Sequence, residues 1–79
     1  VSDIETAIIG FIEEFGVVEP GQLRVDTPLL DDDLLDSLAV YEVVMFLEQR
    51  YGIEVFDEEV VPEHFGTVAS LARLVESKR

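Results

Sequence analysis

Leu34-Leu35-Asp36-Ser37-Leu38-Ala39-Val40-Tyr41-Glu42-Val43-Val44-Met45-Phe46-Leu47-Glu48-Gln49-Arg50-Tyr51-Gly52 is the stretch whose reading decides the fold. Asp36 suits a helix N-cap, because its carboxylate accepts hydrogen bonds from the unpaired amides of a first turn. The pattern predicts a helix from Ser37 to about Tyr51, ended by Gly52, with Ile53 folding back towards Leu47 as the apolar partner of that cap. Ser37 then stands exposed at the first helical position, at the positive end of the helix dipole, where a phosphate would be stabilised. Projected at about 100° per residue, Val40, Val43, Val44, Leu47 and Tyr51 form a core stripe. Leu38, Glu42, Met45 and Gln49 fall on the opposite side, flanked by Tyr41 and Glu48. Apolar residues set among carboxylates on an outward face read as a docking patch, with apolar anchors for affinity and acids for steering.

Upstream, Ser2 and Glu5 have the spacing of a capping box, so a first helix begins at Asp3. Ile4, Ile8, Phe11, Ile12 and Phe15 follow helical spacing and predict its buried stripe, with Glu13 and Glu14 solvated. Gly16 is a left-handed stop, and Val17 packs back on the last turn. Residues 17–36 form a long connection, in which Glu19-Pro20-Gly21 is turn chemistry and Thr27-Pro28 predicts a single helical turn. A linker this long in a small domain is functional or anchored by its own apolar residues, here Leu23, Val25, Leu29 and Leu30. Downstream, Ile53, Val55 and Phe56 read as a packed extended loop, since a lone strand has nothing to pair with. Pro62 to Phe65 makes one short turn. Thr67 caps a last helix with Val68, Leu71, Ala72, Leu74 and Val75 inward and Arg73, Lys78 and Arg79 near its carboxyl end. The fold class is therefore all-α: a small four-helix bundle of three main helices and one short one, with a long loop between the first two.

Seventy-nine residues allow one small domain, residues 1–79, and no second core. An apolar fraction of 48% is enough for a packed interior. No stretch is apolar for the roughly 18 residues of a membrane span, and no secretory signal opens the chain. Without cysteine there is no disulfide framework and no thiolate zinc site, and the cytoplasm is the simplest location. Eighteen acidic residues against five basic ones give a formal charge of −13. That charge repels nucleic acid and attracts basic proteins. It also predicts that salt or millimolar-scale Mg²⁺ raises the melting temperature.

Asp36-Ser37-Leu38, followed by Val44-Met45-Phe46-Leu47-Glu48 and Tyr51-Gly52-Ile53-Glu54-Val55, resembles the acyl carrier proteins and peptidyl carrier domains. The likeness covers most of the chain from the first helix onward and is strongest from Asp36 to Asp57. In that family the serine of Asp-Ser-Leu carries a covalent 4′-phosphopantetheine arm, delivered from coenzyme A by a phosphopantetheinyl transferase. The arm's thiol holds acyl or aminoacyl cargo as thioesters. The resemblance thus implies Ser37 as the attachment site of a discrete carrier that is not an enzyme and has no catalytic or metal residues. It implies Asp36, Leu38, Glu42, Met45 and Glu48 as contacts for basic patches on loading enzymes and on downstream synthases or transferases. Asp57 and Glu58 extend that acidic surface, and a monomer is the implied state.

The chain departs from fatty-acid-synthase carriers at three points. Leu34-Leu35 stands where they usually have a glycine, Ala39 where they often have an acid, and Phe46 where they usually have alanine. The Leu-Leu-Asp-Ser form looks more like carriers of aminoacyl, D-alanyl and specialised-metabolite pathways. The Phe46 ring flanks the core stripe and is expected to fill space that would hold a fatty chain, leaving a short or polar cargo presented outside the bundle.

Other chemistries fit poorly. His64 is the sole histidine, far from Ser37 in sequence and without a cleft or oxyanion site to serve. Asp31-Asp32-Asp33 with Glu42 at loop position 12 invites a calcium reading, but Asp36 replaces the obligatory glycine and the template fails. The alternative is an acidic helical interaction module that binds a basic partner unmodified, because Asp-Ser before an apolar run is also an ordinary helix start.

Overall fold

The capping box at the amino end forms as expected. Ser2 N donates to Glu5 Oε1 (2.9 Å) and Glu5 N donates to Ser2 Oγ (3.1 Å), which satisfies two first-turn amides and starts α1, Asp3–Glu14. The computed structural model describes residues 2–14, 21–30 and 35–79. The expected stop and turn at Phe15, Gly16, Val17, Glu19 and Pro20, and the run Asp31-Asp32-Asp33 with Leu34, lie outside the described residues. Ile4, Ile8 and Ile12 are buried, and Phe11 is partly so. Glu13 is not simply solvated. Its Oε2 accepts a hydrogen bond from Gly21 N (3.0 Å), where the chain turns with a φ of 86°.

Leu23 and Leu29 bury the connection against the bundle, with Val25 and Leu30 partly buried beside them. The helical turn expected at Thr27-Pro28 does not form. Arg24 N donates to Thr27 Oγ1 (2.9 Å) and Thr27 N to Arg24 O (3.2 Å), closing a tight turn instead. The Leu29 amide is committed to Gly66 O (2.7 Å), and Ala69 N donates to Val25 O (2.9 Å). These long-range bonds give the connection's backbone groups partners at the end of α3 and in α4 and fix its path there.

The second helix, α2, runs Ser37–Tyr51, the bounds expected from its caps. Asp36 Oδ1 accepts from Ala39 N (2.8 Å), and Gly52, at a φ of 66°, donates its amide to Glu48 O (3.0 Å). Ala39, Val43, Val44 and Leu47 are buried, while Val40 and Tyr51 are only partly so. Beyond Gly52 the chain runs irregularly to Phe56, with Val55 buried, and then makes a 3-10 turn, Asp57–Glu59, that periodicity did not reveal.

α3, Pro62–Phe65, is the short turn expected, with proline at its first position where a missing N–H costs nothing. Gly66 follows because a Cβ there would lie 2.5 Å from Pro62 O. α4, Val68–Lys78, starts on Thr67, whose Oγ1 accepts from Ser70 N (3.1 Å). Ser70, the buried polar residue of the core, bonds His64 O through its hydroxyl (2.7 Å) and so ties α3 to α4. α1 packs on α4 and α2, and α3 on α4. Among the described residues the elements are helical throughout, with no strand, and they enclose one core built on Leu29, Val43, Leu47, Phe65, Leu71 and Val75.

Candidate functional site

Ser37 occupies the first position of α2 and is exposed. Asp36 engages the Ala39 amide and Asp36 O accepts from Val40 N (2.9 Å), so the first turn is rigid behind the serine. No hydrogen bond among the described residues holds the Ser37 hydroxyl or the amides of Ser37 and Leu38. A phosphate ester on Ser37 Oγ therefore fits: it would meet free amides at a helix N-terminus without displacing a structural bond.

A cleft of about 590 Å³ opens beside that hydroxyl. One wall is α2, through Val40, Val44, Met45 and Glu48. The other runs through Val55, Asp57, Val60 and Val61 into α3 with Pro62 and Phe65, and Leu30 and Leu35 contribute from the connection. Its lining is mainly apolar, with Asp36, Ser37, Tyr41, Glu48 and Asp57 as polar members and no basic residue. Concave, largely apolar spaces of this size hold flexible organic ligands.

The second wall is fastened at both ends. Val55 N donates to Glu48 Oε2 (3.0 Å), which joins it to α2. Phe56 N donates to Glu59 Oε1 (3.0 Å), and the same oxygen pairs with Lys78 Nζ at 2.8 Å from the end of α4. Lys78 Nζ also lies 5.1 Å from the centre of the Phe56 ring. The hydrogen bond from Lys78, and then that from the Phe56 amide, hold the Glu59 carboxyl below the usual carboxylate range.

The six residues singled out from the sequence divide between two surfaces. Asp36, Ser37, Met45 and Glu48 line the cleft. Leu38 and Glu42 stand outside it, Leu38 being 69% exposed. Tyr41, 63% exposed, and Met45, 42% exposed, connect the cleft mouth with this outer face. Asp57 and Glu58 are exposed on the 3-10 turn across from it.

Phe46 does not lie where the expectation about cargo required. Its ring stacks on Phe11 of α1, with centroids 4.2 Å apart and planes 15° apart, and is absent from the cleft lining. It fills the α1–α2 seam, so the space beside Ser37 stays open and the ground for an externally held cargo is removed. Sequence reasoning missed the cleft wall. Val60-Val61 directly ahead of Pro62 was its one visible signal, an apolar pair too short to show periodicity. His64 does not line the cleft, and among the described residues no cluster of acids and histidine has the make-up of a metal site.

Comparison with known proteins gives a consistent answer. The family described as Phosphopantetheine attachment site matches residues 10–75. The acyl carrier protein of Wolinella succinogenes is 36% identical over 62 residues, covering 78% of this chain and 79% of that protein. The probable acyl carrier protein PigG of Serratia sp. is 32% identical over 74 residues, covering 92% of this chain and 85% of that one. A chain in a crystal structure described as that of an FAD-dependent dehydrogenase superposes with a TM-score of 0.77 at 35% identity, over 86% of this chain and 97% of that chain.

Proposed function

The chain belongs to the phosphopantetheine-dependent acyl carrier family, and on that premise we propose that Ser37 is the attachment point of the arm and that residues 1–79 act as one carrier domain. The observation that carries this reading is the free, exposed Ser37 hydroxyl at the start of α2, beside the cleft and within the matched segment. A carrier does not load itself. A phosphopantetheinyl transferase with Mg²⁺ would direct Ser37 Oγ, as it loses its proton, onto the pantetheine-bearing phosphorus of the coenzyme A pyrophosphate, breaking the P–O–P bond to give a phosphodiester and release adenosine 3′,5′-bisphosphate. Once attached, the arm supplies a thiol that holds acyl or aminoacyl groups as thioesters. Asp36 keeps the first turn rigid while the serine reacts, and the Ser37 and Leu38 amides would be available as donors to the new phosphate.

The outer face of α2 supports a role in docking. Leu38, Tyr41 and Met45 are exposed apolar side chains set among Asp36, Glu42 and Glu48, suited to basic patches on loading enzymes, synthases and transferases. Such contacts are weak and fast, which lets successive enzymes share one carrier. The cleft gives the arm and the proximal part of its cargo a place against the protein. The description of the structural relative as an FAD-dependent dehydrogenase supports a flavin-dependent dehydrogenase among the partners. The absence of a membrane-spanning helix among the described residues is compatible with work in the cytoplasm.

Intact mass after incubation with coenzyme A, Mg²⁺ and a broad-specificity transferase tests the reading. Gain of one phosphopantetheine by the parent and none by Ser37→Ala is expected. No gain with a transferase verified on another carrier would leave an unmodified acidic binding module as the better account.

A further inference from the structure

The cleft beside Ser37 has one wall made of helix and one made of little more than a 3-10 turn. Between Gly52 and α3 the chain has only that turn, Asp57–Glu59, for regular structure. Val55 anchors the start of this wall in the core, but Phe56 and Val60, which flank the turn, are exposed, so beyond Val55 apolar burial contributes little to fixing it. Its position depends on the polar ties at its ends. The tie to α2 is a single hydrogen bond, from Val55 N to Glu48 Oε2 at 3.0 Å. The tie to α4 is denser: Lys78 Nζ meets Glu59 Oε1 at 2.8 Å and the Phe56 ring at 5.1 Å, while Glu59 Oε1 also accepts from Phe56 N. No other salt bridge exists among the described residues, in a chain with five basic side chains and a formal charge of −13. Lys78 is also the last residue of α4, where a cation complements the negative end of the helix dipole, so the ammonium is held on both sides.

We propose that Lys78 is a positioning residue for the cleft: by clasping Glu59 and Phe56 it holds the 55–61 wall against the bundle, and release of the clasp opens the cleft. The clasp joins the end of α4 to the cleft wall without touching Ser37. An enzyme that draws Lys78 to its own carboxylates, or covers Phe56, would thereby loosen the wall. The consequence for cargo rests on the carrier reading above; the motion of the wall does not.

Amide hydrogen exchange on the unmodified protein tests the motion directly. Lys78→Ala should speed exchange of the Val55 and Val60 amides about three- to thirty-fold, the range expected for losing a partly exposed ion pair and a cation–π contact. Val43 and Leu47 in the core should be unchanged. Lys78→Arg should retain protection, and Lys78→Glu combined with Glu59→Lys should restore most of it. Unchanged exchange at Val55 and Val60 would overturn the proposal, as would equal acceleration at Val43 and Leu47, because Lys78 would then support the whole fold and not the wall. On the loaded carrier, hydrolysis of an octanoyl thioester should be faster in Lys78→Ala than in the parent. If the exchange effect is present but both thioesters hydrolyse alike, the clasp stands and only cargo placement in the cleft falls.

Discussion

Phe46→Ala separates the two sides of α2. Truncating a fully buried phenylalanine costs about 3–5 kcal/mol. Phe46 is partly buried, packed on Phe11 with Arg50 lying 6.0 Å over its ring, so a loss of about 2–3 kcal/mol is expected. Of that, about 0.5–1.5 kcal/mol belongs to the stacked pair. A chain of this length has about 4–12 kcal/mol in total, so the variant should still fold, with its melting temperature lowered by about 8–24 °C. Urea titrations of the parent, Phe46→Ala, Phe11→Ala and the double variant give the coupling between the rings. A coupling near zero would refute the packing account. The functional half of the prediction is an absence of effect. The ring does not line the cleft, so below the unfolding transition arm attachment at Ser37 and hydrolysis of a loaded medium-chain thioester should match the parent. A marked change in hydrolysis at full folding would mean that the ring governs the cleft after all.

Three further outcomes follow from the same contacts. Gly10 is exposed within α1, and a Cβ there would meet nothing within 4 Å, so Gly10→Ala should raise stability by about 0.5–1 kcal/mol, read as a later urea midpoint at unchanged slope. The lowered Glu59 carboxyl stabilises the folded state above the ordinary glutamate range, and that contribution is lost as pH falls through its depressed value. The difference in urea midpoint between the parent and Glu59→Gln should therefore hold at pH above the ordinary glutamate range and fade as pH falls below that range. With a formal charge of −13, the melting temperature should rise across a salt series and with millimolar-scale Mg²⁺; a flat response would contradict a compact state strained by repulsion among its carboxylates.

The helix ends were legible because capping is local chemistry. Ser2 with Glu5, Asp36, Gly52 and Thr67 each act within three or four residues of themselves, and each stands where the structure starts or stops a helix. The long connection was only half legible. Its apolar anchors Leu23 and Leu29 could be named, but its path depends on Leu29 N reaching Gly66 O and Val25 O receiving Ala69 N. Pairings across such distances leave no period in the sequence, which is why Thr27-Pro28 read as a helical turn. The cleft wall was illegible for the same reason. Glu59 and Lys78 are far apart in the chain, and Glu48 reaches across Gly52 to Val55. Phe46 shows the complementary failure: helical spacing placed it beside the core stripe, but only the position of α1 decides which neighbour its ring meets.

α2 is better understood as three-sided than as amphipathic. Val43, Phe46 and Leu47 face the bundle and its α1 seam; Val40, Val44, Met45 and Glu48 face the cleft; Leu38, Tyr41 and Glu42 stand outward. With 3.6 residues per turn, steps of three and four alternate, so a fifteen-residue helix can supply each face with a residue on nearly every turn. On the carrier reading the consequences of substitution should divide along those lines. Changes on the bundle side should lower stability and leave partners alone. Changes on the outward side should slow partner encounter and alter its salt dependence with the melting temperature unmoved. Met45 and Glu48 sit on the boundary. Met45 is both exposed and part of the cleft, and Glu48 fixes the Val55 amide with the same carboxylate that borders the docking face. A partner residue that captured the Glu48 carboxylate would compete with Val55 N for it, so docking on α2 and loosening of the opposite wall would be linked through one side chain. Glu48→Gln, which keeps an acceptor for Val55 but removes the charge, should weaken the docking half while leaving the wall amide protected.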